Sequence, residues 1–292
     1  MSRPLPLALV QAAGREPGDL KGFAEHVEQV ARTYPQSRLL VYPELHLAGD
    51  DLDPRRTEQQ VADSAEPLDG PRHEFLAQLA GDLGVWLVPG SVSELGEDGR
   101  VYNTALVYSP EGRRAAAYRK IFPWRPYETC SSGREFVVFE MPGHGRVGLS
   151  VCYDAWFPEH TRQLAWLGAE LVLNLVKTPT VDRAQETVIA RANAIVNQVF
   201  VASVNAGTPS GLGRSLLVDP EGRVRVEAVS ELPSVLTDVI DLDAVTTVRR
   251  FGTAGLNRVW DQYQHGHDEG PVPLPMYGGR IDPATWRGST SA

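Results

Sequence analysis

The chain has 292 residues, of which 42% are hydrophobic and 22% charged, ordinary for a soluble globular protein and enough for a full core. A net charge of -9 without any Lys/Arg-rich block gives no electrostatic reason to expect nucleic acid or an anionic membrane as partner, and the proline-broken apolar run after Met1 suits neither a signal peptide nor a membrane span, which leaves small molecules. Two cysteines, Cys130 and Cys152, make no disulfide framework and show no metal-type spacing, so a reducing cytoplasm and no metal site are expected.

Residues 7–11 read as a first strand, and Gly18-Asp19 opens a helix with Phe23, Val27 and Val30 on one face. Residues 38–42 form the second strand, which stops at Pro43-Glu44 and leaves a carboxylate at its C-terminal end. An acidic loop holding Asp50, Asp51 and Asp53 follows, then a helix over 71–84 with Phe75, Leu76, Leu79 and Leu83 on one face. Residues 85–88, 101–108 and 114–118 are successive strands, the last two joined by the turn Pro110-Glu111-Gly112-Arg113. Val147, Leu149 and Val151 mark a buried strand that ends on Cys152, and helical spacing resumes after Pro158-Glu159 at Leu164, Ala165 and Leu167. Strand 170–175, helix 182–197 and strand 199–204 come next. Strands 215–218 and 224–229 then flank Pro220-Glu221-Gly222-Arg223, the same four residues as the earlier turn.

Both halves therefore run strand, helix, strand, helix, strand, hairpin. Helices between strands favour parallel pairing, and the hairpins add antiparallel edges. If each half makes a sheet with two helices on one face, the bare faces must bury each other. The expected α/β fold is a four-layer α-β-β-α sandwich of two mixed sheets, one domain over residues 1–250. A doubly wound sheet with helices on both faces is the competing layout. Residues 242–250 read as a short helix, and 251–292 as a C-terminal tail whose Phe251, Leu256, Trp260 and Tyr263 favour docking on the domain or a partner subunit, with 288–292 loose.

Glu44, Lys120 and Cys152 each follow a strand, and in a mainly parallel sheet such ends share one edge where distant residues converge. A strand-to-helix elbow at Cys152 aims the following backbone N–H groups at whatever the sulfur attacks. A free thiol, with a pKa of about 8.5, is mostly protonated at neutral pH, so attack on an amide needs a base. Glu44, set among Pro43 and Leu45, has its carboxyl raised toward neutrality and fits that task. Lys120 and the Tyr153 N–H would then hold the tetrahedral oxyanion.

Pro43-Glu44-Leu45, Tyr118-Arg119-Lys120-Ile121-Phe122-Pro123-Trp124 and Val151-Cys152-Tyr153-Asp154, in this order, resemble the Glu-Lys-Cys triad of the nitrilase superfamily of carbon-nitrogen hydrolases, over roughly residues 5–250. The resemblance implies the same sandwich, a thioester acyl-enzyme, no metal or organic cofactor, and homodimers or higher homo-oligomers. It also implies a second glutamate, orienting the lysine and substrate, at Glu128 in Arg125-Pro126-Tyr127-Glu128-Thr129. Tyr153-Asp154 is similar to members that hydrolyse amides, where nitrilases carry Trp-Glu. The loop from Lys120 to Glu128 resembles that of aliphatic amidases and formamidases, in which Trp124 would wall a small acyl pocket. Departures are Thr129-Cys130-Ser131-Ser132 in place of an aromatic pair and Leu45 in place of a tyrosine, which imply a wider or differently polar pocket. Ala155-Trp156-Phe157 stands where carbamoylases of the family place arginines.

Lys177-Thr178 lies where members of the family touch substrate, so Lys177 is expected to pair with an acidic or polar substrate group or, alternatively, to cap a strand end. Cys130 reads as incidental or as a mouth residue, and His46 as lining the entrance. The expected function is hydrolysis of a small linear amide to a carboxylic acid and ammonia or an amine. Alternatives are a ureido (N-carbamoyl) hydrolase, an acyltransferase or a nitrilase on the same triad, and, outside catalysis, a silent oligomeric interaction module.

Overall fold

The computed structural model describes residues 2–49 and 61–261. Strands β1 (Pro4–Gln11), β2 (Leu39–Val41), β3 (Trp86–Val88), β4 (Ser91–Leu95), β5 (Val101–Tyr108) and β6 (Arg114–Arg119) belong to a first sheet, with α1 (Leu20–Thr33) and α2 (Pro71–Leu83) linking its first three strands. A second sheet holds β7 (Val138–Met141), β8 (Gly145–Val151), β9 (Leu171–Val176), β10 (Phe200–Asn205), β11 (Leu216–Val218) and β12 (Val224–Glu227). Its crossover helices are α3 (Pro158–Trp166) and α4 (Arg183–Asn197), and β13 (Ser234–Asp241) and α5 (Asp243–Phe251) close the domain. The sequence sets the helix ends locally: the Asp19 carboxylate accepts from Gly22 N at 3.0 Å to start α1, and left-handed Gly84 stops α2.

Three apolar clusters lie at the three interfaces between four layers. Leu7, Leu9 and Val41 meet Leu149, Leu173 and Val204 between the sheets. Phe23, Val27 and Leu76 press α1 and α2 onto Ala8, Leu40 and Leu87, and Leu164, Ala190 and Ala194 press α3 and α4 onto Val172 and Val201. This is the expected helix-sheet-sheet-helix sandwich, and the doubly wound alternative is excluded.

The strand patterns of β4, β7 and β13 escaped the sequence reading, and one of them changes how the halves relate. Strand β13 leaves its own half and pairs antiparallel with β1 from Pro4↔Asp241 to Gln11↔Ser234. The first half thus does not build its sheet alone. Strand β4 is hidden in sequence because Ser91, Ser93 and Glu94 are buried, so polar residues fill positions that alternation would assign to apolar ones.

Past α5, Trp260 packs on Trp166 at 6.0 Å, lies under Arg249 at 4.9 Å, and donates from Nε1 to Asn197 O at 3.1 Å. Phe251 and Leu256 are exposed. Tyr263, residues 288–292 and the acidic loop of Asp50, Asp51 and Asp53 lie outside the described residues. Among the described residues no helix is long and apolar enough to cross a membrane.

Candidate active site

Glu44 leaves β2 on a constrained turn. Leu45 is held at φ +47° by its N–H, which donates to Ser91 Oγ at 2.9 Å. Gly90 lies so close that a Cβ there would sit 1.9 Å from Pro43 O, and its φ of +98° also favours glycine. Lys120 leaves β6 with its N–H on Asn103 O at 2.8 Å and its carbonyl accepting from Gly133 N at 2.7 Å.

Cys152 sits at φ +47° where β8 turns into a short 3-10 turn (Cys152–Trp156). Asp154, fully buried two residues on, accepts from Val151 N at 2.9 Å, Phe122 N at 2.9 Å and Tyr118 Oη at 2.7 Å. One carboxylate therefore fastens the cysteine turn to the strand end that carries Lys120. In a 3-10 turn the first N–H groups have no intrahelical acceptor, and the N–H of Tyr153 is one of them.

The three residues do not share one sheet edge, contrary to the sequence expectation. Glu44 and Lys120 leave one edge of the first sheet, since β6, antiparallel to β5, runs parallel to β2, but Cys152 comes from the second sheet, so the three meet across the gap between facing sheets. Lys120 Nζ, 1% exposed, donates to Glu44 Oε1 at 2.9 Å and to Glu128 Oε2 at 2.7 Å. Asn103 Nδ2 donates to the same Glu44 oxygen at 2.8 Å, and Lys177 N donates to the other at 3.0 Å. Glu44 is 3% exposed, and its charge acts on the Cys152 thiol.

Electrostatics follow from this burial. Removal from water pushes the Glu44 carboxyl upward, Lys120 pulls it back, and Glu128 adds to the rise. Burial alone would lower the Lys120 ammonium, but Glu44 and Glu128 outweigh it and hold it well above the lysine range. Glu128 resists the upward push of burial because Lys120 faces it, and it stays below the usual carboxylate range. Burial, with Glu44 next, holds the Cys152 thiol well up, and Lys120 opposes them. The arrangement is a neutral thiol, a proton acceptor beside it, and a fixed cation shared by two carboxylates.

The carbon-nitrogen hydrolase family profile matches residues 7–250. This chain belongs to the carbon-nitrogen hydrolase family. It is an enzyme of the nitrilase superfamily with amidase relatives. An (R)-stereoselective amidase from a Pseudomonas species is 34% identical over 84% of this chain and 88% of its own length. The omega-amidase NIT3 of Saccharomyces cerevisiae is 26% identical over 90% of this chain and 96% of its own length. Its crystal structure, described as branch 10 of the nitrilase superfamily, superposes with a TM-score of 0.74 over 85% of this chain and 93% of that one. A mutant of the amidase from Nesterenkonia sp. AN1, at 26% identity and a TM-score of 0.67 over 88% of this chain and 97% of that one, carries the acetamide moiety of fluoroacetamide covalently on its active-site cysteine.

In this carbon-nitrogen hydrolase, Trp124 and Tyr127 are exposed and face each other at 4.4 Å beside Glu128, whose Oε2 accepts from Trp124 N at 2.5 Å. Lys177 contributes its backbone N–H to Glu44, while its ammonium donates to Gly49 O at 2.9 Å. Thr178 Oγ1 lies 3.7 Å from Cys152 Sγ. Cys130 is buried, its thiol pushed up to about 11 by burial. His46 is not at an entrance: it is buried with its ring 5.6 Å from Phe23 and 5.1 Å from Tyr42, and burial pushes it down to about 3. Asn103 was the missed member of the cluster, and Asn103-Thr104 interrupting an otherwise apolar strand was its available signal.

Proposed function

We propose that this enzyme cleaves a small linear amide to a carboxylic acid and ammonia or an amine through a thioester on Cys152. The observation that carries the reading is buried Glu44 accepting from Lys120 Nζ at 2.9 Å, with both charges acting on the Cys152 thiol. Glu44 takes the S–H proton as the sulfur attacks the carbonyl carbon. Lys120 and the Tyr153 N–H stabilise the oxyanion, and Glu128 keeps Lys120 charged and in place. Glu44 returns the proton to the leaving nitrogen, the C–N bond breaks, and the thioester remains. Water then gives a proton to Glu44, attacks the thioester carbon, and releases the acid with the thiol restored.

Relatedness to amidases supports an amide rather than a nitrile, and Trp124 with Tyr127 supports an aromatic wall for the acyl group. Lys177-Thr178 follows β9, and Thr178 Oγ1 at 3.7 Å from Cys152 Sγ supports a place for this pair beside the substrate. The reading includes self-association, supported by exposed apolar Val188, Ile195 and Val196 on α4 and Trp166 on α3. An ammonia-release screen over small amides, ureido compounds and nitriles tests the activity, with Cys152→Ala as blank. Turnover of amides lost in the blank is expected; turnover confined to nitriles or ureido compounds, or kept in Cys152→Ala, would overturn the reading.

A further inference from the structure

Besides Glu44, whose charge acts on the thiol, a second buried carboxylate is linked to the sulfur through one intermediate. Thr178 follows β9, and its backbone is clamped by Asn205 of β10: Thr178 N donates to Asn205 Oδ1 at 2.9 Å, and Asn205 Nδ2 donates to Thr178 O at 3.3 Å. With the backbone fixed, its hydroxyl lies 3.7 Å from Cys152 Sγ and donates to Glu186 Oε1 at 2.9 Å. Glu186 sits in the first turn of α4, 6% exposed, and its Oε2 accepts from Arg183 Nη1 at 3.1 Å. Arg183, 1% exposed, is anchored in turn on Gly213 O, Ser203 Oγ and Arg214 O. Nothing in the reaction as described uses this line of groups.

A hydroxyl has one proton. Because Thr178 gives its proton to Glu186, it turns only lone pairs toward the sulfur. It can accept from S–H, but it opposes a thiolate. We propose that Glu186, acting through Thr178, is a positioning residue that keeps Cys152 a neutral thiol in the resting enzyme, so that the sulfur ionises only as Glu44 takes its proton during attack. The charged groups acting on Cys152 are Glu44, Lys120, Glu128, Glu186 and Arg183, contributed by strand ends of the first sheet, the loop after β6 and α4. Among them Glu186 is the one linked to the sulfur through a hydroxyl whose polarity a single isosteric change reverses.

That change is Glu186→Gln. Arg183 still requires an oxygen at its end, so the Gln amide nitrogen must face Thr178 and donate to it. The Thr178 proton is then free to point at the sulfur and stabilise a thiolate. The inference rests on Cys152 as the nucleophile, and its test needs no substrate: iodoacetamide labelling of the full-length enzyme as a function of pH, with mass mapping of Cys152 apart from Cys130. The Glu186→Gln profile should move about one pH unit lower, giving about tenfold faster labelling below the midpoint. Thr178→Ser should keep the wild-type profile. Thr178→Val should abolish the difference, so that Thr178→Val alone and combined with Glu186→Gln coincide. An unmoved Glu186→Gln profile, or the same shift persisting without the hydroxyl, overturns the relay while leaving the proposed hydrolysis standing. If Glu186→Gln does not fold, a Thr178→Val profile identical to wild type overturns it as well. Absence of any label on Cys152 in the wild type would instead sink the hydrolytic reading itself.

Discussion

In the proposed reaction two demands pull on the Glu44 carboxyl: it must be ionised to accept a proton, and it is buried where ionisation is costly. Activity is lost as pH falls through its folded value, and because burial raises that value the acid limb of kcat/KM should lie above the ordinary glutamate range of about 4.3. Glu128 adds to the rise, so Glu128→Gln should move the limb to lower pH as well as reduce kcat; a pH-rate series on both enzymes checks the sign. Glu44→Gln, which cannot take the thiol proton, should lower kcat about 10²–10⁴-fold in a steady-state assay. Rates on neutral and carboxylated amides in wild type and Lys177→Ala test the substrate role of that lysine. Its ammonium already donates to Gly49 O, and an unchanged preference would reject the role. Glu44, Lys120 and Cys152 were legible in the sequence because each is a reactive residue placed directly after a strand. Thr178 and Glu186 as partners of the sulfur were not, since only the packing of α4 against the end of β9 brings them there.

At the scale of elements, the site depends on strand ends held by close backbone approaches. A Cβ at Gly90 would meet Pro43 O at 1.9 Å, and one at Gly133 would meet Arg119 O at 2.1 Å, so neither backbone tolerates a side chain without moving the strand end that carries Glu44 or Lys120. Gly90→Ala should therefore cost about 1–3 kcal/mol in denaturant melts and reduce kcat more than a surface Gly→Ala of equal destabilisation. Helices were readable from spacing and caps, as with Asp19 and Gly84. Strand β7 was not, because it is four residues long on a sheet edge, and β4 was not, because its buried positions are polar.

The whole molecule is one sandwich because the final strand returns to the first. With β13 paired along β1 and a single core between the sheets, the sheet of the first half is incomplete without a strand from the second. The repeated hairpin turns made the two-sheet plan legible, but the return of β13 across the halves is a long-range pairing that no local pattern encodes. Leu9→Ala in the shared core should cost about 2–5 kcal/mol and unfold both sheets in one transition. Sedimentation of wild type against Val188→Glu/Ile195→Lys tests the self-association: a larger species lost in the variant is expected, and a wild-type monomer contradicts it. The most direct measurement of the central claim is intact and peptide mass after acid quench of the enzyme turning over a small amide. An acyl group in place of one hydrogen on the Cys152 peptide, absent in Cys152→Ala, is the predicted result. Ammonia release with the acyl group on no residue, or on Cys130, would contradict it.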